Sequence, residues 1–392
     1  MACGAAQAQS GGGGMPQNSD RFTAEAHART TYDSNLAAGN TAVSSVRQID
    51  PEDVTYTLGG SVILQLPSAK QTIFVRGGAD ILRHDKNDNL DSESLAAALG
   101  YLRRIGPCGL MAQATYDRRQ ALLQDLTVAV SKNTIEVQSA TGGLTCGRRG
   151  INGGLQGNIS QSRNTATGSG FVDSQTVGAT LSVGYQNARL GNVGAFARYG
   201  EVTYERALVP TALQPNGFES YGAGFSYSRA IGQRINGAAS IAYMIQKPQG
   251  TVLTLGTLKT SKNISADVNM NYEASRRTRF SVAYSLSNQA SSTVNADYVR
   301  SQLVRASVDY TLNPRITLRA GASASRDNYR GGLNLPLQIR KNEQVLVFGG
   351  GRLKIGRKIE MSLDVTHTDR NADVNQFDYN SNRVTLGVTS TF

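Results

Sequence analysis

The chain has 392 residues, 39% of them hydrophobic and only 18% charged, with 42 glycines, 16 tyrosines and no tryptophan. Polarity without high charge argues against both a tightly packed helical core and a charge-rich disordered chain, and no apolar run approaches the ~18 residues of a membrane-spanning helix. Lys and Arg outnumber Asp and Glu by 40 to 29, a net charge of +11 that favours anionic partners; three histidines and three cysteines leave little for a histidine-dependent hydrolase, a metal cluster or a disulfide scaffold.

The chain opens on MACGAAQAQS, in which Ala6-Gln7-Ala8 fits the small-x-small rule of a signal-peptide cleavage site. The glycines from Gly11 to Gly14 and the Pro-Gln-Asn stretch behind them read as a flexible leader. Residues 1–21 are therefore expected to be a signal-peptide remnant and disordered leader, and 22–392 a single unit without a change of composition.

From Phe22 onward, runs with an apolar residue at every second position recur to the end of the chain. Val177, Ala179, Leu181, Val183 and Tyr185 alternate with Gly178, Thr180, Ser182 and Gly184. Ile264, Ala266, Val268, Met270 and Tyr272 alternate with Ser265, Asp267, Asn269 and Asn271, and the same period runs through Phe280–Ser287 and Ile359–Thr366. A period of two is that of a strand with one apolar face. A soluble sandwich buries that face and a membrane barrel turns it to lipid, so alternation does not choose between them.

The connections do. Short ones (67–70, 103–108, 147–152, 187–192, 230–234, 274–279, 312–315 and 354–358) take turns with longer polar ones such as 83–93, 163–173, 207–219 and 369–382. Short turns on one side and long loops on the other are the habit of outer-membrane barrels. Eight short turns and nine longer links join 18 strands, an even number that leaves both chain ends on the short-turn, periplasmic side. The count falls to 16 if 123–145 forms fewer strands than its two apolar pieces suggest. The fold expected is an all-β, closed antiparallel transmembrane barrel in the outer membrane of a Gram-negative bacterium, in contact with lipid and lipopolysaccharide.

At the end, Val384, Leu386, Val388 and Phe392 alternate up to a terminal aromatic carboxylate, which resembles the signal read by the barrel-assembly machinery, although Ser390 departs from it. The opening Arg29-Thr30-Thr31-Tyr32-Asp33-Ser34-Asn35-Leu36 and the closing Phe377-Asp378-Tyr379-Asn380-Ser381-Asn382-Arg383-Val384 resemble the outer-membrane barrels of the beta-barrel porin 2 family. The likeness runs from about residue 22 to 392 on short, tolerant motifs. Members commonly accompany exopolysaccharide biosynthesis and export genes, so the resemblance implies a channel or accessory conduit for an exopolysaccharide, with periplasmic export proteins as partners. It carries no catalytic residue, and neither an enzyme, a cofactor nor a metal is expected.

Charge placement adds an argument from the residues themselves. The short turns gather Arg103, Arg104, Arg148, Arg149, Arg276, Arg277, Arg279, Arg357 and Lys358, with Arg189, Arg234, Arg315 and Lys354, and no acid. They would ring the periplasmic mouth, and Arg198, Arg305, Arg319 and Arg383 on polar faces would continue a positive path through the lumen toward an anionic polysaccharide. Two other readings stay open: turn arginines anchoring the barrel at lipid phosphates, and an internal ladder in which Asp267, Glu273, Asp309 and Asp364 offset the lumen arginines. A general small-solute porin and a structural or adhesive barrel with a plugged lumen are the functional alternatives.

The remaining motifs weigh less. Asp85-Lys86-Asn87-Asp88-Asn89 lacks the sixth-position Gly and the closing Glu of a calcium loop. His367 near Ser362 or Thr368 lacks a converging triad. Gly349-Gly350-Gly351 has no helix behind it and reads as a close approach within a strand. Basic residues are not interleaved with stacking aromatics, which argues against nucleic acid. Cys108 and Cys146 open the fourth strand and close the fifth on the periplasmic side, a pairing the oxidising compartment permits.

Overall fold

The structure, a computed structural model, describes residues 22–120, 134–165, 173–205, 217–249, 260–290, 298–330 and 340–392. The expected leader and the apolar piece Leu126-Val128-Val130 lie outside these residues.

Eighteen strands follow one another in chain order: β1 (Phe22–Asp33), β2 (Asp53–Pro67), β3 (Gln71–His84), β4 (Ser92–Ile105), β5 (Cys108–Gln120), β6 (Thr134–Arg148), β7 (Ile151–Asn164), β8 (Asp173–Asn187), β9 (Gly191–Glu205), β10 (Gly217–Ile231), β11 (Ile235–Gln249), β12 (Ser261–Glu273), β13 (Thr278–Ala290), β14 (Tyr298–Asn313), β15 (Ile316–Arg330), β16 (Lys341–Ile355), β17 (Ile359–Ala372) and β18 (Tyr379–Thr391). Each pairs antiparallel with its neighbours in sequence, and β1 pairs with both β2 and β18, so the sheet closes on itself. The count is 18, and it does not fall to 16. Strands about 4.8 Å apart and tilted by about 40° then enclose a barrel roughly 35 Å across, measured between backbones.

The polar ends of the strands stay in the ladder, because ladder hydrogen bonds use backbone groups that every residue but proline supplies. Turns are accordingly tighter than the sequence suggests. Ile105 pairs with Cys108, leaving Gly106 and Pro107 alone in the turn, with Gly106 at φ 58°. Arg103, Arg104, Arg279 and Lys354 are strand residues and not turn residues.

Alternation sorts the wall into two faces. Leu58, Leu99, Leu155, Leu181, Phe225 and Leu386 all expose more than half of their surface on the outside. Tyr185, Tyr227, Tyr272, Phe280 and Tyr310 sit toward the short-turn ends of their strands, and Tyr32, Tyr56, Tyr221 and Tyr243 toward the long-loop ends. An apolar band between two aromatic girdles is the surface of a barrel in a bilayer. A mostly apolar groove of about 710 Å³ on this outer wall is lined by Ala112, Ala114, Ala140, Gly142 and Gly157 among others.

Among the described residues, the packed apolar clusters lie at the long-loop end. Between β1 and β2 the chain forms a helix the alternation does not reveal, α1 (Thr41–Arg47), whose Asn40 cap accepts from the amides of Ala42 and Val43. Ala37 and Ile49 around it pack with Leu90, while Phe377 packs with Ala372, Tyr329 and Val374. Asp33, Arg370, Tyr379 and Ser381 face inward on their strands and are nonetheless buried. The described segments 34–52 and 373–378 therefore fold over the inner wall at this mouth.

Candidate functional site

Inward-facing residues form the wall of the lumen. Contacts between strands confirm which face is which: His27 Nε2 lies 2.8 Å from Asp80, Ser94 donates to Asp80 at 3.2 Å, and Arg319 Nε lies 3.5 Å from Asp309. All of these alternate with the exposed apolar residues of their own strands. The wall is mostly Ser, Thr, Gly and Asn, as in Asn158, Ser160, Thr176, Gly178, Thr180 and Ser182 on β7 and β8.

The four arginines named for the lumen all face it, but not as equals. Arg383 is tied down: its Nε and Nη2 donate to Asp33 Oδ2 at 3.0 and 2.6 Å, at the long-loop end of the β1–β18 seam. Arg383 is thus bound into the seam. Arg319 shares Asp309. Arg305 is exposed, and no carboxylate among the described residues lies within ion-pair distance of it. Of the acids proposed to offset them, Asp309 pairs with Arg319, while Glu273 pairs with Arg279 at 2.7 Å near the short turn.

The basic residues of the short-turn end gather at one mouth and are exposed there. They do not share one direction. Arg104 and Arg279 face inward by register, Arg103 and Arg148 face outward, and Arg149, Arg276, Arg277, Arg357 and Lys358 sit on turn tips. A field at the mouth and an anchor to lipid phosphate are thus carried by different members of the same set.

Sequence reading missed the aromatic part of the wall. Phe74, Phe196 and Phe348 point into the lumen, and each carries an arginine over its ring: Arg76 at 5.2 Å from the centroid of Phe74, Arg198 at 4.8 Å from Phe196, and both Arg305 (5.3 Å) and Arg319 (5.5 Å) at Phe348. Each phenylalanine stands opposite a glycine on a neighbouring strand, namely Gly100, Gly224 and Gly321. At Gly321 a Cβ would lie 2.5 Å from the tip of the Phe348 ring, and at Gly100 it would run into the Phe74 ring. Glycine lets these two rings lie flat along the wall, where a guanidinium can cover them. For Phe74–Arg76 and Phe196–Arg198 the signal lay within one strand, two residues apart on one face, contrary to the reading that basic residues do not interleave with aromatics; for Phe348 it lay in the register. Counted from the short-turn ends of β3, β9 and β16, the rings stand three, five and seven residues up (71 to 74, 191 to 196, 355 to 348).

The other motifs resolve as architecture. Asn87, in the half calcium loop, donates to Asp53 at 2.7 Å, and Asp53 also accepts from the amides of Asp85, Lys86 and Asn87. His367 faces outward and contacts Asn382 at 2.8 Å, on the face of β17 opposite Ser362. Gly350 lies where a Cβ would meet Asp364 and the Leu363 carbonyl, a close approach within β16. Cys108 opens β5 and Cys146 lies two residues from the end of β6, one strand later than the sequence count puts them, and the two are in direct register and disulfide-bonded.

A BenF-like porin from Pseudomonas fluorescens Pf-5 is similar over 95% of this chain and 99% of its own, with 11% identity and a TM-score of 0.50. The chain forms a porin-type barrel. The siderophore receptor PirA from Acinetobacter baumannii is similar over 95% of this chain and 81% of its own (6% identity, TM-score 0.53), and the FrpB iron transporter from Neisseria meningitidis over 90% and 62% (9% identity, TM-score 0.51). At such identities the likeness is one of fold. The family described as "Putative beta-barrel porin 2" matches residues 211–392, which contain the closing segment Phe377–Val384 but not the opening Arg29–Leu36. No curated protein matches the chain in sequence.

Proposed function

We propose that the protein is an outer-membrane channel through which hydrophilic anions diffuse, without catalysis. The observation that carries this reading is that Arg76 and Arg305 stand on the lumen wall, exposed and stacked on phenylalanine, with no carboxylate among the described residues at ion-pair distance. A stacked guanidinium keeps its charge and N–H edge toward the lumen, and a positive wall concentrates anions. Polar alternation inside and an apolar band outside supply the rest of a passive pore.

A second reading, favoured by the basic set at the short-turn mouth, is a conduit or accessory channel for an acidic exopolysaccharide. Arg104, Arg149, Arg276, Arg277, Arg357 and Lys358 lie where a polymer would enter from the periplasm.

One experiment addresses both. The refolded barrel is placed in a planar bilayer and its conductance and anion-over-cation selectivity are recorded, with and without an acidic polysaccharide on the short-turn side. Anion-selective current indifferent to the polymer supports a small-solute channel, and block by the polymer from that side supports the conduit. A folded barrel that passes no current overturns both and leaves a plugged, structural or adhesive role.

A further inference from the structure

We infer that Arg305, Phe348 and Arg319 form a carboxylate-binding site on the lumen wall. This rests on the channel reading for how a ligand arrives, but the site itself is argued from its own geometry.

The three residues come from three consecutive strands, β14, β15 and β16, and register brings them together. Phe348 stands opposite Gly321, and the missing Cβ lets the ring extend across β15 toward β14. Arg305 sits two residues above this level, opposite Ser323, and Arg319 two residues below it, opposite Gly350. Both guanidiniums cover the same ring, at 5.3 and 5.5 Å. The other two stacked phenylalanines each carry one arginine, so this is the place among the described residues where two converge.

Chemistry makes the pair more than a decoration of the wall. A phenylalanine turned to water in a polar lumen is unfavourable unless it does something there. Here it holds two long side chains in place before a ligand arrives, which reduces the entropy lost on binding. Arg319 spends its Nε on Asp309 at 3.5 Å, which leaves its terminal nitrogens to donate elsewhere. Arg305 has no such commitment among the described residues. A planar fork of N–H donors matches the two oxygens of a carboxylate, a fit that an ammonium lacks. Asp309 offsets one of the two charges and the Asp364 carboxylate lies over Gly350, opposite Arg319, so Arg305 carries the charge left for one carboxylate at a time. That carboxylate can belong to a small organic acid or to a uronate unit of a polysaccharide.

The test is titration calorimetry of the full barrel in detergent, with sodium glucuronate and, separately, polygalacturonate, beside bilayer conductance. Calorimetry does not depend on an open pore, so failure of the channel reading and failure of the site are distinguishable. Glucuronate is expected to bind and Arg305→Ala to weaken it by about tenfold or more, the loss of a charge-assisted contact. Arg305→Lys, which keeps the charge and loses the fork, is expected to weaken it comparably while anion selectivity persists. Phe348→Leu is expected to weaken it with both arginines present. Binding of polygalacturonate but not glucuronate would assign the site to the polymer, and binding of both to the free acid as well. Binding undiminished in Arg305→Lys and Phe348→Leu would overturn the proposal, as would absence of binding to the native barrel.

Discussion

Arg383 and Asp33, 350 residues apart in sequence, meet across the seam where the last strand pairs with the first. The Asp33 carboxylate is buried, and it also accepts from Ser381 Oγ at 2.6 Å and from the Asn35 amide at 2.9 Å. Asp33→Ala leaves the guanidinium without its acceptor and the two donors unsatisfied. It is expected to cost about 1–3 kcal/mol, discounted because Arg383 is half exposed. Urea midpoints in lipid vesicles measure this, and an unchanged midpoint would show the seam to be held by backbone pairing alone.

The assignment of faces can be tested at two adjacent residues. Leu181 exposes 61% of its surface on the outer wall, and Thr180 beside it faces the lumen. Leu181→Arg is expected to destabilise the barrel in a bilayer by about 2–4 kcal/mol, the cost of a cation near the midplane, and Thr180→Arg much less. Equal costs would mean that the outer face does not meet hydrocarbon.

Gly321→Ala places a methyl 2.5 Å from both the Phe348 ring and the Ala306 carbonyl oxygen. The ring must lift from the wall, and both guanidiniums lose their seat. Assembly is expected to survive, with reduced stability, while glucuronate binding falls and anion selectivity, which follows charge, persists. Binding equal to that of the native barrel would separate the ring from the arginines' function.

Cys108 and Cys146 close a loop with a sequence separation of 38. The chain-entropy model gives such a link about 4 kcal/mol, an upper figure where native strain intervenes. Thiol labelling of the unfolded protein from the cell envelope is expected to leave both residues unmodified until a reductant is added. The Cys108→Ser, Cys146→Ser double variant is expected to unfold at lower urea.

Asp53 organises the loop between β3 and β4 through the amides of Asp85, Lys86 and Asn87 and the Asn87 side chain. Asp53→Ala is expected to open residues 85–91 to protease while conductance stays unchanged. Resistance equal to that of the native protein would place the loop's order in the Leu90 packing instead.

Strand number, chain-end placement and the two faces were legible because each strand states its own period. Ile264–Tyr272 and Val177–Tyr185 lie within β12 and β8. What depends on register was not legible. Nothing near Phe348 in sequence points to Gly321 or Arg305, and Arg383 looks as available as Arg305 until Asp33 is seen across the seam. Helix α1 escaped because seven residues cannot show an amphipathic period, although Asn40 before them is a good helix cap. The opening Arg29–Leu36 signalled a family from the side of the chain that the family match does not reach.

The three ring–guanidinium units lie on β3, β9 and β16, at successive steps of six, seven and five strands around the circle, and each stands two residues higher along its strand than the one before. They form a shallow spiral. Two residues of strand are about 6–7 Å of height, but six or seven strands of 18 set neighbouring rings about 30 Å apart across a barrel of this width, so a solute lets go of one ring before it meets the next. Several weak holds in series let a solute leave as readily as it enters, whereas one deep site would trap it. A solute held at one ring would then leave the rest of a wide lumen free, so lengthening the dwell at any single ring would not close the pore to others.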